Sequence, residues 1–248
     1  MVVGICKFCG QERELIKSHI IPKSFYRLKE RGRFAAITPS DRRVDIVHHQ
    51  NGFKEHLMCS NCDGSLGNLD AYAERILFQE ICNHPFRTVD NIKTYLLQKS
   101  EFEYENLRKF FISLVWRASI SSEFNTFSLG KYEDVALKIL KGELSDNADL
   151  FVPIVMRKQT QTPIENISTC FRDRVLGKYS CLIKFPDYEI KVITNTKDNN
   201  SPEIMRIYKS CLTPEEFLVM ETDCATDYDV RLLEAIIRSH RPNNHIIS

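Results

Sequence analysis

Two cysteine pairs near the start of the chain are the residues best suited to chemistry. Cys6 and Cys9 form one Cys-x-x-Cys pair, and Cys59 and Cys62 form the second. Each pair presents two sulfurs from one tight turn, and a structural zinc ion takes four sulfur ligands at about 2.3 Å. The sequence therefore predicts a structural Zn²⁺ site with these four ligands. Two unrelated turns with buried thiols are the alternative; a thioredoxin-type redox site is disfavoured because no βαβ pattern surrounds either pair.

A histidine between the two pairs is the candidate general base. His19 lies near the end of the apolar stretch from Leu15 to Ile21, which predicts a short strand, and Pro22 follows that stretch. An unperturbed histidine has a pKa near about 6.5, which suits the removal of a proton from water. The alternatives are a histidine that hydrogen-bonds a loop, or an additional zinc ligand.

An acidic stripe is predicted on the helix that begins near Cys62. Asp63, Gly67, Asp70 and Glu74 follow a spacing of four, three and four residues, which places them on one helical face. Carboxylate oxygens are the ligands that Mg²⁺ prefers. Asp63 and Asp70 are therefore candidate catalytic residues.

The residues from 6 to about 75 resemble the HNH endonucleases, a family of zinc-stapled treble-clef, or ββα-metal, nucleases. The likeness rests on Cys6-x-x-Cys9, on Ser18-His19-Ile20-Ile21-Pro22 and on Cys59-x-x-Cys62-Asp63. It implies that His19 is the general base and that Asp63 binds a catalytic Mg²⁺ or Mn²⁺. The Ser-His-Ile-Ile-Pro variant is also similar to a group of bacterial proteins, which implies a role as a phage-defence effector.

The chain departs from the family pattern at two positions. Ser18 stands where the family usually has a metal-binding aspartate. Lys54 stands where the family has an asparagine, and Asn51 lies close enough in sequence to compensate, as does the pair His48-His49. Asn51 is therefore a further candidate catalytic residue.

A basic segment surrounds the candidate histidine. From Arg13 to Arg43 there are nine Lys/Arg and three acids, so the segment carries +6 in a chain whose net charge is +1. Such a patch is typical of phosphate binding, and a solvated surface loop is the alternative. Lys23, Arg33, Arg42 and Arg43 are the candidate nucleic-acid contacts.

The patterns predict an α+β fold in two parts. Residues 1–85 would form the zinc module, with Glu30 to Gly52 as a long loop or hairpin. Residues 86–248 would form a mixed α/β region with a small antiparallel sheet. Its predicted helices are Glu105 to Ser119, Tyr132 to Lys141, one that begins at Thr213-Pro214-Glu215-Glu216 and a last one around Val230 to Ile237. Its predicted strands are Leu150 to Met156, Lys178 to Phe185, Tyr188 to Thr194 and Glu203 to Lys209.

Two functions from different classes follow. The first is a metal-dependent HNH-like endonuclease that hydrolyses phosphodiester bonds in DNA, with RNA less favoured. The second is a catalytically inactive zinc-stabilised module that binds nucleic acid or a protein. Residues 86–248 would serve as a sensor, a substrate-binding part or a docking surface for a protein partner, and Arg117 in this part is expected to reach a carboxylate or a phosphate.

The expected compartment is the cytoplasm. Nine cysteines, an odd number, suit a reducing environment better than a disulfide scaffold. No apolar run reaches the roughly 18 residues of a membrane span, and the first residues do not read as a secretory signal.

Overall fold

The computed structural model describes residues 1–26, 34–40, 43–49, 51–89, 92–124, 127–158, 167–175, 178–185, 187–196 and 211–222. Its architecture confirms the predicted α+β class. The three main helices are α1 (Ser60–Arg75), α2 (Tyr104–Ile120) and α3 (Tyr132–Lys141). The strands are β1 (Val2–Ile5), β2 (Glu12–His19), β3 (Phe34–Ser40), β4 (Arg43–His49), β5 (Lys54–Met58), β6 (Phe86–Val89), β7 (Ile92–Gln98), β8 (Leu150–Lys158), β9 (Ile167–Val175), β10 (Lys178–Lys184), β11 (Tyr188–Asn195) and β12 (Glu216–Thr222).

The first part of the chain builds a small antiparallel sheet that leads into a helix. Strands β1, β2 and β5 lie side by side in that order. Helix α1 begins directly after β5 and the Cys59 turn, and a π-helical turn, Ile76–Glu80, continues it. The two cysteine pairs and the candidate histidine all lie on this unit.

The second sheet is larger than the small antiparallel sheet predicted. It has nine strands in the order β4-β3-β9-β10-β11-β8-β12-β7-β6. All neighbours run antiparallel except the pairs β3–β9 and β12–β8. The stretch Glu30 to Gly52, predicted as a loop or hairpin, contains the β3–β4 hairpin, which extends this sheet at its edge.

Apolar periodicity explains the helices that position the core. The residues spaced along one face of α2, from Leu107 through Phe111 to Val115, are completely buried. Helix α3 ends at Gly142, whose φ of 74° lies in the left-handed region that favours glycine at a helix end.

The prediction of a helix that begins at Thr213 is wrong. The Thr213 hydroxyl accepts hydrogen bonds from the backbone N–H groups of Glu215 and Glu216, as a helix cap would. The chain then continues as strand β12, because it pairs on one side with β7 and on the other with β8. A local capping signal was therefore overridden by two rows of inter-strand hydrogen bonds.

One hydrophobic core runs through both predicted parts of the chain. The ring of Phe25 lies 5.4 Å from that of Phe110 on α2 and 5.1 Å from that of Phe185, which follows β10. The division into residues 1–85 and 86–248 stays a prediction about which parts can fold independently. The predicted strand Glu203 to Lys209 and the last helix lie outside the described residues.

No helix within the described ranges is long and apolar enough to cross a membrane.

Candidate metal centre

The four predicted zinc ligands converge in space. The sulfur atoms of Cys6, Cys9, Cys59 and Cys62 all lie within 4.8 Å of one another. Four sulfurs bound tetrahedrally to zinc at about 2.3 Å are about 3.8 Å apart, so the cluster is close to the size that the ion requires. The donor set fits a structural zinc ion, and zinc occupancy itself stays a prediction.

Local backbone geometry explains how each pair is presented. Cys6 and Cys9 lie in the turn between β1 and β2, where the Gly10 N–H donates to the Cys6 carbonyl at 2.8 Å. Gly10 has a φ of 74°, a conformation open to glycine and strained for most other residues. Cys59 precedes the first residue of α1, and Cys62 lies in its first turn.

Two thiols of the cluster have pKa values shifted in opposite directions. Burial raises the pKa of the Cys6 thiol, but backbone hydrogen bonds involving Cys9, Cys59 and Phe8 outweigh burial and bring the pKa to about 7. One of these donors, the N–H of Cys59, lies 3.4 Å from the Cys6 sulfur. Burial and hydrogen bonds with Cys59 and Cys6 raise the pKa of Cys62 instead. The Cys6 thiol therefore ionises more readily than the Cys62 thiol in the same cluster.

His19 ends strand β2 and lies opposite Lys54 of β5. Burial lowers the pKa of His19 below 6.5, and the positive charges of Lys54 and Lys23 lower it further. The charge of Asp63 and a hydrogen bond to the backbone of Asn51 act in the opposite direction but do not restore the usual value. The ring is therefore neutral at neutral pH, as a general base must be.

The ring nitrogen Nε2 of His19 is buried and has no hydrogen-bond partner within the described part of the chain. Buried polar atoms are nearly always paired, so an orphaned nitrogen is unusual. A water molecule or a substrate hydroxyl could provide the missing partner. The His19 ring is therefore free to bond a ligand through Nε2.

The contribution of Asn51 comes from its backbone. Asn51 is exposed, and it is its backbone that interacts with the His19 ring. The next residue, Gly52, has a φ of 74°, and a side chain there would meet the Tyr26 ring at 2.6 Å. The Tyr26 hydroxyl in turn accepts a hydrogen bond from the Phe53 N–H at 3.2 Å. Glycine at position 52 therefore lets the turn pass close to Tyr26 and brings Asn51 to the histidine.

Ser18 is fully buried, and its hydroxyl has no hydrogen-bond partner within the described residues. A neutral hydroxyl thus replaces the carboxylate that binds metal at this position in HNH nucleases, and a hydroxyl is the weaker ligand for Mg²⁺. Of the acidic side chains, Asp63 is the one whose charge acts on His19.

Asp70 is paired with Arg117, the buried arginine that the sequence analysis expects to reach a carboxylate or a phosphate. Arg117 on α2 donates to both carboxylate oxygens of Asp70, at 2.9 and 2.6 Å. Arg117 also donates to the backbone carbonyl of His19 at 3.2 Å. With both oxygens engaged, Asp70 acts by positioning the end of β2 against α1 and is a poor candidate for a catalytic metal ligand.

The predicted basic contacts are only partly visible. Lys23 is exposed and close enough to lower the pKa of His19, and Lys54, which the sequence marked only as a departure from the family, does so more strongly. Lys54 on β5 pairs with His19 on the neighbouring strand β2. The inserted hairpin separates these two strands in the sequence, so no local pattern in the sequence indicated the pairing. Arg33 and Arg42 lie outside the described residues. Arg43 begins strand β4, and its side chain is not described.

Neither a protein-family model, nor a curated protein, nor a solved structure matches this chain.

Proposed function

We propose that this protein is a metal-dependent endonuclease of the HNH type that hydrolyses phosphodiester bonds in DNA. The orphaned Nε2 of His19 is the observation that carries the proposal. It belongs to a neutral imidazole whose pKa responds to the charges of Lys54, Lys23 and Asp63, and Asp63 directly follows one of the four cysteines suited to zinc.

Each residue has a stated role in the proposed reaction. His19 takes the proton from the attacking water through Nε2. Lys54 and Lys23 hold the negative charge of the phosphodiester beside the histidine. Asp63 would hold a single Mg²⁺ or Mn²⁺ ion, since Mg²⁺ is commonly bound through one or two carboxylates together with substrate phosphate oxygens. When bound, such an ion supplies charge stabilisation to the leaving oxygen.

A plasmid-nicking assay with Mg²⁺ or Mn²⁺ tests the proposal. His19→Ala should lose nicking by about 10²-fold or more, because general-base catalysis typically contributes that much. His56→Ala is the matched control: this partly buried histidine lies on the same small sheet, in β5, and has no role in the proposed site. Zinc content and DNA binding should be equal in both variants. Unchanged nicking by His19→Ala would refute the proposed mechanism.

Asp63→Ala gives a second and independent test. Loss of an oxygen ligand weakens binding of the catalytic ion, so nicking should fall and should recover in part when the concentration of Mg²⁺ or Mn²⁺ is raised. His19→Ala should show no such recovery. If added metal restores nicking in neither variant, or in both equally, Asp63 does not bind the catalytic ion.

A second candidate function is a zinc-stabilised module that binds nucleic acid or a protein without cutting. Two observations favour it: Ser18 offers a buried neutral hydroxyl in place of a carboxylate, and Asp70 is already paired with Arg117. Of the acidic stripe, Asp63 is then the residue whose charge acts on His19. Salt-sensitive DNA binding without nicking under any metal, unchanged in His19→Ala, would support this function over the first.

A further inference from the structure

A cavity of about 490 Å³ lies away from the candidate metal centre, between the large sheet and the segment that joins α2 to α3. Ligand pockets in proteins typically measure about 300–1,000 Å³, so it can hold one small molecule. It shares no lining residue with the His19 site. The lining comes from Phe127 to Leu129, Lys131, Tyr132, Arg172, Lys178 to Ser180, Thr194 and Asn195.

The cavity lining is strongly cationic. It contains Lys131, Arg172 and Lys178 and, among its described residues, no Asp or Glu. Like charges gathered around one concavity repel one another and lower the cost of bringing an anion into it. The electrostatic character of the cavity therefore selects an anionic ligand.

Aromatic faces line the same cavity. The ring of Tyr179 is 51% exposed, and the guanidinium of Arg172 lies 5.0 Å from its centroid. Across the cavity, the ammonium of Lys131 lies 5.2 Å from the centroid of the Tyr132 ring. Each cation thus accompanies a ring that could stack on a planar group, a pairing used for bases and their phosphates in nucleic-acid-binding proteins.

The walls of the cavity are held in place without a ligand. The hydroxyl of Tyr132 accepts a hydrogen bond from the Asn195 side chain at 2.7 Å, and that of Tyr179 accepts one from Arg174 at 2.9 Å. In the segment between α2 and α3, the N–H of Leu129 donates to the Ser119 hydroxyl at 2.9 Å. A preformed cavity loses less freedom on binding than one that must order itself.

We infer that this cavity binds a free mononucleotide, with its phosphate at Lys131, Arg172 and Lys178 and its base against Tyr179 or Tyr132. The size of the cavity favours one nucleotide over a longer strand. The inference goes beyond the proposed nuclease activity and does not depend on it, because a binding module with this cavity would hold the same ligand.

Isothermal titration calorimetry of the full-length protein at low salt tests the inference. The probes are AMP, GMP, CMP and UMP, with adenosine and inorganic phosphate as the two halves of the ligand. At least one mononucleotide should bind at least about tenfold more tightly than either half. Absence of binding by every mononucleotide up to about 10 mM would overturn the inference, as would equal binding of adenosine or of phosphate.

Two variants and a matched control assign the binding to this cavity. Arg172→Ala should weaken mononucleotide and phosphate binding by about tenfold, the effect of losing one charge-assisted contact. Tyr179→Ala should weaken mononucleotide binding by more than it weakens phosphate binding, because the ring would contact the base and only supports Arg172. Arg75→Ala is the control, because Arg75 lies 5.1 Å from the Tyr72 ring in the same arrangement but outside the cavity.

The exposed positions of Arg172 and Tyr179 keep the test interpretable, since thermal unfolding of both variants should match that of the unsubstituted protein. Equal affinity in Arg172→Ala and Arg75→Ala would overturn the inference. A short oligothymidylate should bind less tightly than the best mononucleotide. If it binds more tightly, and Arg172→Ala abolishes that binding, the cavity holds a nucleic-acid strand and the inference of a free mononucleotide is overturned.

Discussion

Arg117 and Asp70 form a buried ion pair that ties the second half of the chain to the helix of the candidate site. The side chain of Arg117 is 3% exposed and that of Asp70 16%. The arginine also donates to the Ser113 carbonyl on its own helix and to the His19 carbonyl at the end of β2. One guanidinium therefore joins α2, α1 and the strand that carries the candidate base.

Removal of one partner of this pair should be strongly destabilising. Arg117→Met or Asp70→Asn should each lower the free energy of unfolding by about 3–5 kcal/mol, because an uncompensated buried charge is left behind. Urea unfolding of the two variants and of the double variant measures the coupling. The double variant should lose less than the sum of the two single losses. Additive losses would contradict a direct ion pair.

Arg117→Met should also distinguish a role in positioning His19 from a role in holding the zinc site together. If Arg117 positions His19 through its backbone carbonyl, Arg117→Met should reduce nicking while zinc content stays unchanged. Loss of zinc from this variant would instead indicate that the whole unit around α1 has unfolded.

The cysteine cluster should bind one zinc ion per chain, and its loss should unfold the small sheet. Cys9→Ser should reduce zinc measured by elemental analysis and lower the thermal unfolding temperature, because metal binding and folding are coupled in such sites. Cys82→Ser is the control, since Cys82 is exposed and outside the cluster. A metal-free protein that unfolds at the temperature of the zinc-loaded one would contradict the prediction.

Glu221 should make the large sheet sensitive to acid. Burial raises the pKa of Glu221, but the Tyr95 hydroxyl, Lys93 and Arg157 outweigh burial and hold the pKa below its usual value. A carboxyl with a depressed pKa in the folded state contributes stability above its unfolded pKa of about 4.3. That stability is lost as the pH falls through the lower folded pKa.

The effect of Glu221 can be read from unfolding at several pH values. Glu221→Gln should be less stable than the unsubstituted protein at neutral pH, and the difference should shrink as the pH falls below about 4. Glu215→Gln is a suitable control because Glu215 pairs with Lys99 at the exposed surface. A difference that does not change with pH would assign the effect to packing instead.

Binding of duplex DNA should depend steeply on salt and on the lysines beside His19. Each phosphate contact contributes about 0.9 to the slope of log affinity against log salt. Lys54→Glu and Lys23→Glu should weaken binding and reduce that slope by about one each. Lys99→Glu is the control, because Lys99 is exposed and follows β7 of the large sheet; it should reduce DNA affinity less.

The basic segment itself gives a further arm of the same experiment. Reversal of Arg42 and Arg43 to glutamate should weaken DNA binding without a change in the thermal unfolding temperature. Binding that does not respond to salt would count against both the nuclease and the nucleic-acid-binding module.

Local chemistry in the sequence was enough to predict the cysteine cluster, the α2 core face and the end of α3 at Gly142. Each depends on residues close together in the chain: paired cysteines in one turn, apolar residues at helical spacing, a glycine after the last helical residue. The α+β class followed from the same patterns. The two cysteines of each pair, the helix face and the helix end survive folding because their partners lie within a few residues, whereas the two cysteine pairs meet only because β1, β2 and β5 form one sheet.

Tertiary structure decided the features whose partners lie far apart. Asp70 reads from the sequence as one member of an acidic stripe, yet Arg117, 47 residues away, engages both of its oxygens. Lys54 faces His19 only because β5 pairs with β2 across the inserted hairpin, and residues 216–222 form a strand because two other strands lie beside them. In each case long-range hydrogen bonds and charge pairing outweigh the local preference, and no pattern within a short window of sequence contains them.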